Sequence, residues 1–142
     1  MKKSRLWAPW RMKYIRGKKK NGCIFCKAKS GKNDYLITKT RYSIAMLNIY
    51  PYNNGHIMIA PIRHIRDTKQ LSGNEALDIF NLLNKMIVTL EKKLKPDGFN
   101  IGLNISRAAG AGITGHIHIH IVPRWIGDTN FMPATSGTKV IS

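Results

Sequence analysis

Gly115-His116-Ile117-His118-Ile119-His120-Ile121-Val122-Pro123 alternates histidine with isoleucine, and that alternation is the pattern of a β-strand. Successive side chains of a strand point to opposite faces, so His116, His118 and His120 share one face and Ile117, Ile119 and Ile121 the other. The isoleucines read as the core side. The histidines then form a row with about seven ångströms between neighbours, on a face expected to be wet or liganded. Three readings follow: a surface strand whose polar face is histidine, a metal site, or catalysis. Imidazole is the side chain best suited to nucleophilic attack and proton transfer near neutral pH.

Working outward, Phe99 to Ile105 is a second strand candidate, joined to the histidine strand through the small, flexible run Ala108-Ala109-Gly110-Ala111-Gly112. Residues 74–95 predict a helix, because Ala76, Ile79, Phe80, Leu83, Met86, Ile87, Leu90 and Leu94 recur at three- and four-residue steps and make one apolar face. Ser72 with Glu75 fits a capping box, and Pro96 with Gly98 stops the helix. Tyr42 to Asn48 and His56 to Ala60 read as strands joined by a turn rich in Pro, Asn and Gly, Ile49-Tyr50-Pro51-Tyr52-Asn53-Asn54-Gly55, which together predict an antiparallel hairpin. Strands arriving in neighbouring pairs with one long helix between them predict an α+β fold on an antiparallel sheet. The alternating pattern of a doubly wound fold is absent.

A chain of 142 residues fits one domain with a real core. We divide it into a basic arm, residues 1–22, and a domain over 23–142. The arm holds nine of the 24 Lys and Arg and no acid, within a chain of net charge +17, a field that attracts nucleotides, nucleic acid or anionic lipid. Solvation alone would explain the charge, but Leu6, Trp7, Trp10, Met12, Tyr14 and Ile15 are interleaved with it, so the arm is expected to pack on the domain. No apolar run approaches the length of a membrane span and no signal-type stretch opens the chain, which makes cytoplasmic location the expectation and membrane association none. In such a compartment Cys23 and Cys26, in Cys-Ile-Phe-Cys, are a redox pair, half of a metal site, or two incidental thiols.

His-Ile-His-Ile-His-Ile-Val-Pro-Arg resembles the signature of the histidine triad (HIT) family, with alternating histidine and apolar residues. Cys-Ile-Phe-Cys-Lys, Asn48, Pro51 to Pro61 with Asn54-Gly55-His56, and Gly102-Leu103-Asn104 fall in family order and roughly family spacing. The Trp-Ala-Pro-Trp-Arg-Met opening and Pro-Arg-Trp-Ile-Gly-Asp-Thr-Asn-Phe-Met-Pro after the triad resemble the diadenosine tetraphosphate phosphorylase-like branch.

The resemblance implies His118 as a nucleophile on the α-phosphorus, forming a nucleotidyl-histidine, with His120, His56 and His116 as its companions in the catalytic group. It implies Asn48 on the ribose hydroxyls and Phe25, Met46 and Ile49 near the base. Asn104 and the backbone of the Gly110 to Gly112 loop, including Ala111 and Gly112, would cradle phosphate, and Trp125 joins the nucleotide-binding set. Zinc-containing relatives, including the galactose-1-phosphate uridylyltransferases, imply structural zinc on Cys23, Cys26, His64 and His116, a site that removes His116 from free catalysis when occupied. The implied substrate is a dinucleoside polyphosphate, cleaved by water or inorganic phosphate, and the implied assembly a homodimer through the long helix and its adjoining strand. Phosphoramidase or nucleotidyltransferase activity of the same family is the alternative. A zinc-bearing nucleic-acid-binding module is a further one, which has no use for three histidines on one face. Ala111-Gly112-Ile113-Thr114 lacks the hydroxyl residue many relatives carry nearer the loop tip, which leaves phosphorolysis and hydrolysis both open.

Overall fold

A computed structural model describes residues 22–31, 33–111, 113 and 115–128. Residues 1–21 of the arm, Lys32, Gly112, Thr114 and everything after Asp128 lie outside the described residues.

Five strands form one antiparallel sheet: β1 (Leu36–Lys39), β2 (Ser43–Leu47), β3 (Ile57–Pro61), β4 (Gly98–Leu103) and β5 (Ile119–Arg124), in the spatial order β1-β2-β3-β5-β4. A short helix α1 (Ile24–Ala28) precedes the sheet, and the long α2 (Gly73–Leu94) lies between β3 and β4. The predicted hairpin is β2 and β3, and its register pairs Met46 with Met58 and Ala45 with Ile59. Helix α2 carries the predicted capping box, with the Ser72 hydroxyl accepting from the Glu75 amide and the Glu75 carboxylate accepting from the Ser72 amide. Lys95 ends it in the left-handed conformation, and Pro96 after it cannot continue the helix. Two elements escaped the sequence reading: α1 and the edge strand β1 are too short to show a period.

Both faces of the sheet are covered. Ala45, Ile57, Ile59 and Ile121 pack against Ile79, Leu82, Leu83, Met86 and Leu90 of α2. Ile44, Met46, Met58 and Ala60 point the other way and pack against Phe25 and Ala28 of α1. His120 is opposite Met58 of β3 and Gly102 of β4, so it belongs to the α1 side, and the glycine places no side chain beside the imidazole.

Three expectations are corrected. Of the two alternatives for the histidine face, the wet one is set aside: His116, His118 and His120 are 0, 4 and 7% exposed, with Phe25 of α1 packed on the first two and His56 against the third. The strand begins at Ile119 rather than His116. Before that point the Ile117 amide donates to the Ile65 carbonyl at 2.7 Å, a bond to the loop after β3 instead of a ladder bond. Phe80, assigned to the buried helix face, is 60% exposed, and Leu82 takes a core place instead. Phe80 stands with exposed Leu77 and Val88 on an outer helix surface, and β4 is a sheet edge with Ile101 exposed. Among the described residues no helix is long and apolar enough to cross a membrane.

Candidate active site and metal centre

His56 enters β3 from a turn that only glycine can make. Gly55 has φ +76°, and a Cβ there would lie 2.4 Å from Leu94 Cδ1 and 3.3 Å from Pro123 Cγ. The turn thus presses onto the end of α2 and onto β5, and His56 is delivered beside His120, with His56 Nε2 to His120 Nδ1 at 2.9 Å.

The partners of each imidazole fix where its proton sits. The Tyr52 amide donates to His56 Nδ1 at 3.1 Å. An amide only donates, so His56 carries its proton on Nε2. That proton goes to His120 Nδ1, which leaves the His120 proton on Nε2 as a donor. His118 Nδ1 lies 2.9 Å from the His116 carbonyl. A carbonyl only accepts, so His118 Nδ1 is protonated and Nε2 presents a lone pair. His116 Nε2 lies 2.7 Å from the Pro61 carbonyl, so its lone pair is on Nδ1. Three histidines of one row are therefore held in three states: a donor ring at His120, an acceptor at Nε2 of His118, and an acceptor at Nδ1 of His116.

Electrostatics keep them so. Burial pushes His118 below the ordinary histidine value. Burial, with His118 and His56 adding repulsion, pushes His120 down to about 2. Both are neutral at pH 7. The two rings meet edge to face at 4.8 Å between centroids. Phe25, fully buried, packs on His118 and His116 at 5.0 and 5.1 Å. A neutral, desolvated imidazole with a free Nε2 lone pair is a nucleophile, and a neighbouring Nε2–H is a proton donor for developing negative charge.

His116 turns its Nδ1 lone pair toward a second group. It lies 3.3 Å from Cys23 Sγ, 3.7 Å from Cys26 Sγ and 3.2 Å from His64 Nδ1, and Cys26 Sγ lies 3.2 Å from His64 Nδ1. All four donor atoms lie within 4.8 Å of one another, a set able to hold a metal ion. Tetrahedral zinc with sulfur and nitrogen ligands puts donor atoms about 3.3–3.8 Å apart. The Pro61 carbonyl also supplies the outer hydrogen bond that a ligating histidine ordinarily makes. Burial and the adjacent Cys23 push the Cys26 thiol up, so an ion bound there displaces protons.

The remaining sequence-assigned residues divide. Asn48 is half-buried, with its Nδ2 3.5 Å from His56 Nε2 and its Oδ1 accepting from the Tyr50 amide. It lines a cleft with Tyr35, Leu47, Pro51, Asn54, Gly55 and His56. Met46 is fully buried in the cluster around Phe25, and Ile49 is 41% exposed. Asn104 follows β4 half-buried, and Ala111 is buried, its amide donating to the Ser106 carbonyl. Trp125, half-buried, is held where its amide donates to Asp128, whose carboxylate also accepts from Asn53. The Tyr52 amide and the Pro61 carbonyl were not found from sequence, since backbone groups are the same in every residue and only the fold aims them.

The HIT domain pattern matches residues 29–125. The chain belongs to the HIT domain family. This HIT protein is 34% identical to AP-4-A phosphorylase of Mycobacterium tuberculosis, over 96% of its own length and 76% of that protein. It is 32% identical to adenosine 5'-monophosphoramidase of Schizosaccharomyces pombe, over 72% of its own length and 74% of that protein. A Zn-bound histidine triad family protein from Mycobacterium smegmatis shares the fold with a TM-score of 0.68 and 28% identity, covering 76% of this chain and 78% of that one. Both named relatives are nucleotide-cleaving enzymes.

Proposed function

We propose that this HIT protein cleaves dinucleoside polyphosphates, diadenosine tetraphosphate among them, through a nucleotidyl intermediate on His118. The observation that carries the reading is the His118 tautomer: Nδ1–H is tied to the His116 carbonyl, so the lone pair is on Nε2. In the first step Nε2 attacks the α-phosphorus, the N–P bond forms, and the bond to the bridging oxygen breaks. The departing nucleoside polyphosphate takes up the proton that His120 holds on Nε2. In the second step water or inorganic phosphate attacks the same phosphorus, its proton passes to the now unprotonated Nε2 of His120, and the P–N bond breaks to free His118. The likeness to AP-4-A phosphorylase over most of the chain supports the substrate class, and the surplus of Lys and Arg favours so anionic a molecule. In this reading Asn48 holds the ribose, Phe25, Met46, Ile49 and Trp125 lie toward the base, and Asn104 with Ala111 and Gly112 faces phosphate. The likeness to a monophosphoramidase favours a second reading with a smaller leaving group.

Incubation with diadenosine tetraphosphate, with and without inorganic phosphate, tests the second attacker. Phosphorolysis yields ADP and ATP, and only when phosphate is present; hydrolysis yields AMP and ATP without it. Absence of both, with release of AMP from an adenosine phosphoramidate, would transfer the assignment to the second reading.

Cys23, Cys26, His64 and His116 form the metal site of this proposal, and two thiolates with two imidazoles suit zinc. Bound there, zinc would cross-link α1, the loop after β3 and the triad segment without touching substrate. Chelation is then expected to lower the unfolding midpoint by several degrees, on the order of the 4 kcal/mol that a ligand at a thousand times its Kd contributes. Calorimetry with and without chelator measures it, and an unchanged midpoint alongside zero zinc content removes the metal from the proposal. The exposed apolar residues Leu77, Phe80 and Val88 of α2 with Ile101 of β4 are the surface we assign to a homodimer.

A further inference from the structure

His64 is the least anchored of the four metal-site residues: it is exposed and stands in the segment between β3 and α2, outside both core clusters. Its position is set by its neighbours on either side. Ile65 is buried, and its carbonyl accepts the Ile117 amide at 2.7 Å. Arg63 reaches across to Glu75 in the first turn of α2, Nε to Oε1 at 2.5 Å and Nη2 to Oε2 at 2.8 Å, and Nη2 also donates to the Gln70 carbonyl at 2.7 Å. The Gln70 side chain in turn accepts from the amides of Arg66 and Asp67. The segment is thereby closed on itself and pinned to the helix.

Glu75 is only 3% exposed. A buried carboxylate needs every lone pair answered, and this one is answered by the Arg63 fork and the Ser72 amide. The fork is planar and bidentate, so it fixes orientation as well as distance. Residues 61–65 emerge from that grip with three groups aimed at the triad segment: the Pro61 carbonyl on His116 Nε2, the Ile65 carbonyl on the Ile117 amide, and His64 Nδ1 on His116 Nδ1.

We propose that the Arg63–Glu75 pair is a positioning device for the metal centre, holding His64 and the Pro61 carbonyl against His116. The inference rests on the metal site proposed above. Metal ligation tolerates errors of only a few tenths of an ångström, so a loosened segment forfeits affinity before it forfeits the fold. A general role in holding α2 would act differently. Asp78, one turn further along α2, accepts from Thr40 Oγ1 and ties the helix to the β1–β2 turn, through a hydrogen bond separate from those of the Arg63–Glu75 pair.

Zinc affinity of the full chain, measured by competition with a chromophoric chelator, separates the two roles. Glu75→Gln is expected to weaken zinc binding at least tenfold, Arg63→Lys by a smaller factor because one donor replaces a fork, and Asp78→Asn by less than twofold. Arg63 is more than half exposed at its side chain, so Arg63→Lys folds even where Glu75→Gln does not. Wild-type zinc affinity in the Arg63 and Glu75 variants overturns the proposal, as does an equal loss in Asp78→Asn. A wild-type protein that takes up no zinc overturns the metal reading itself, a result distinguishable from either.

Discussion

Replacing His118 by alanine is expected to lower diadenosine tetraphosphate turnover by about four orders of magnitude or more, the scale seen when a covalent nucleophile is removed from an enzyme. No neighbouring group can substitute. His116 has its Nε2 committed to the Pro61 carbonyl and its Nδ1 turned to the cysteines. His120 has its Nδ1 occupied by His56 and offers a proton, not a lone pair. His120→Ala should therefore behave differently: turnover falls by about 10²–10⁴-fold, the range for a lost general acid, while a nucleotidyl intermediate still forms slowly on His118. Protein denatured in alkaline detergent after reaction with α-labelled substrate makes the distinction, because the P–N bond of a nucleotidyl-histidine survives alkali and is hydrolysed by acid. Label is expected on wild type and His120→Ala and none on His118→Ala. His118 packs on Phe25 in the interior, so each variant's unfolding curve must accompany its rate. Cleavage by His118→Ala within tenfold of wild type, in a folded protein, would mean that another atom attacks phosphorus.

The sequence was most legible where side-chain periodicity is long. Alternation put three histidines on one face and three isoleucines on the other, and the isoleucines of β5 do lie against α2. The twenty-two residues of α2 showed both their apolar stripe and their capping box. The family resemblance implies Cys23, Cys26, His64 and His116 as one set, and the fold gathers these four donors. What escaped depends on long-range closure. That His116 and His118 are buried follows in part from Phe25 of α1 packing on both rings, and a five-residue helix has no periodicity to announce it. Phe80 satisfied the helical stripe, yet it is 60% exposed on the outer surface of α2. The division of labour among the histidines was out of reach for a related reason. It is written by a carbonyl of His116, a carbonyl of Pro61 and an amide of Tyr52, groups that every sequence contains.

The same burial predicts an unusually early acid limb of stability. His116, His118 and His120 all have pKa values lowered by burial, His116 to about 4 and His120 to about 2. The unfolded chain binds protons on these rings near the ordinary value of about 6.5, whereas the folded chain does not. Between the two values the unfolded state holds more protons, so stability rises with pH there and is lost as pH falls below about 6.5. Above that value the groups are neutral in both states and contribute no slope. His120 alone supplies a slope of about 1.4 kcal/mol per pH unit, or about 2 kcal/mol between pH 6.5 and 5. His118 acts in the same direction, and His116 joins it in chelated protein. Glu75 adds nothing in that range: Arg63 holds its carboxyl near 2, so its contribution is lost only as pH falls from about 4.5 toward 2. Acid loss above pH 5 is thus a histidine effect. Urea unfolding of metal-free protein at pH 7.5, 6.5, 5.5 and 5 measures it, and His120→Gln should flatten the slope below pH 6.5 by about one proton while lowering stability at every pH through the lost bond to His56. Parallel curves for wild type and variant would show that His120 titrates alike in both states, and that its ring is reached by water in a way its burial between His56 and His118 does not allow.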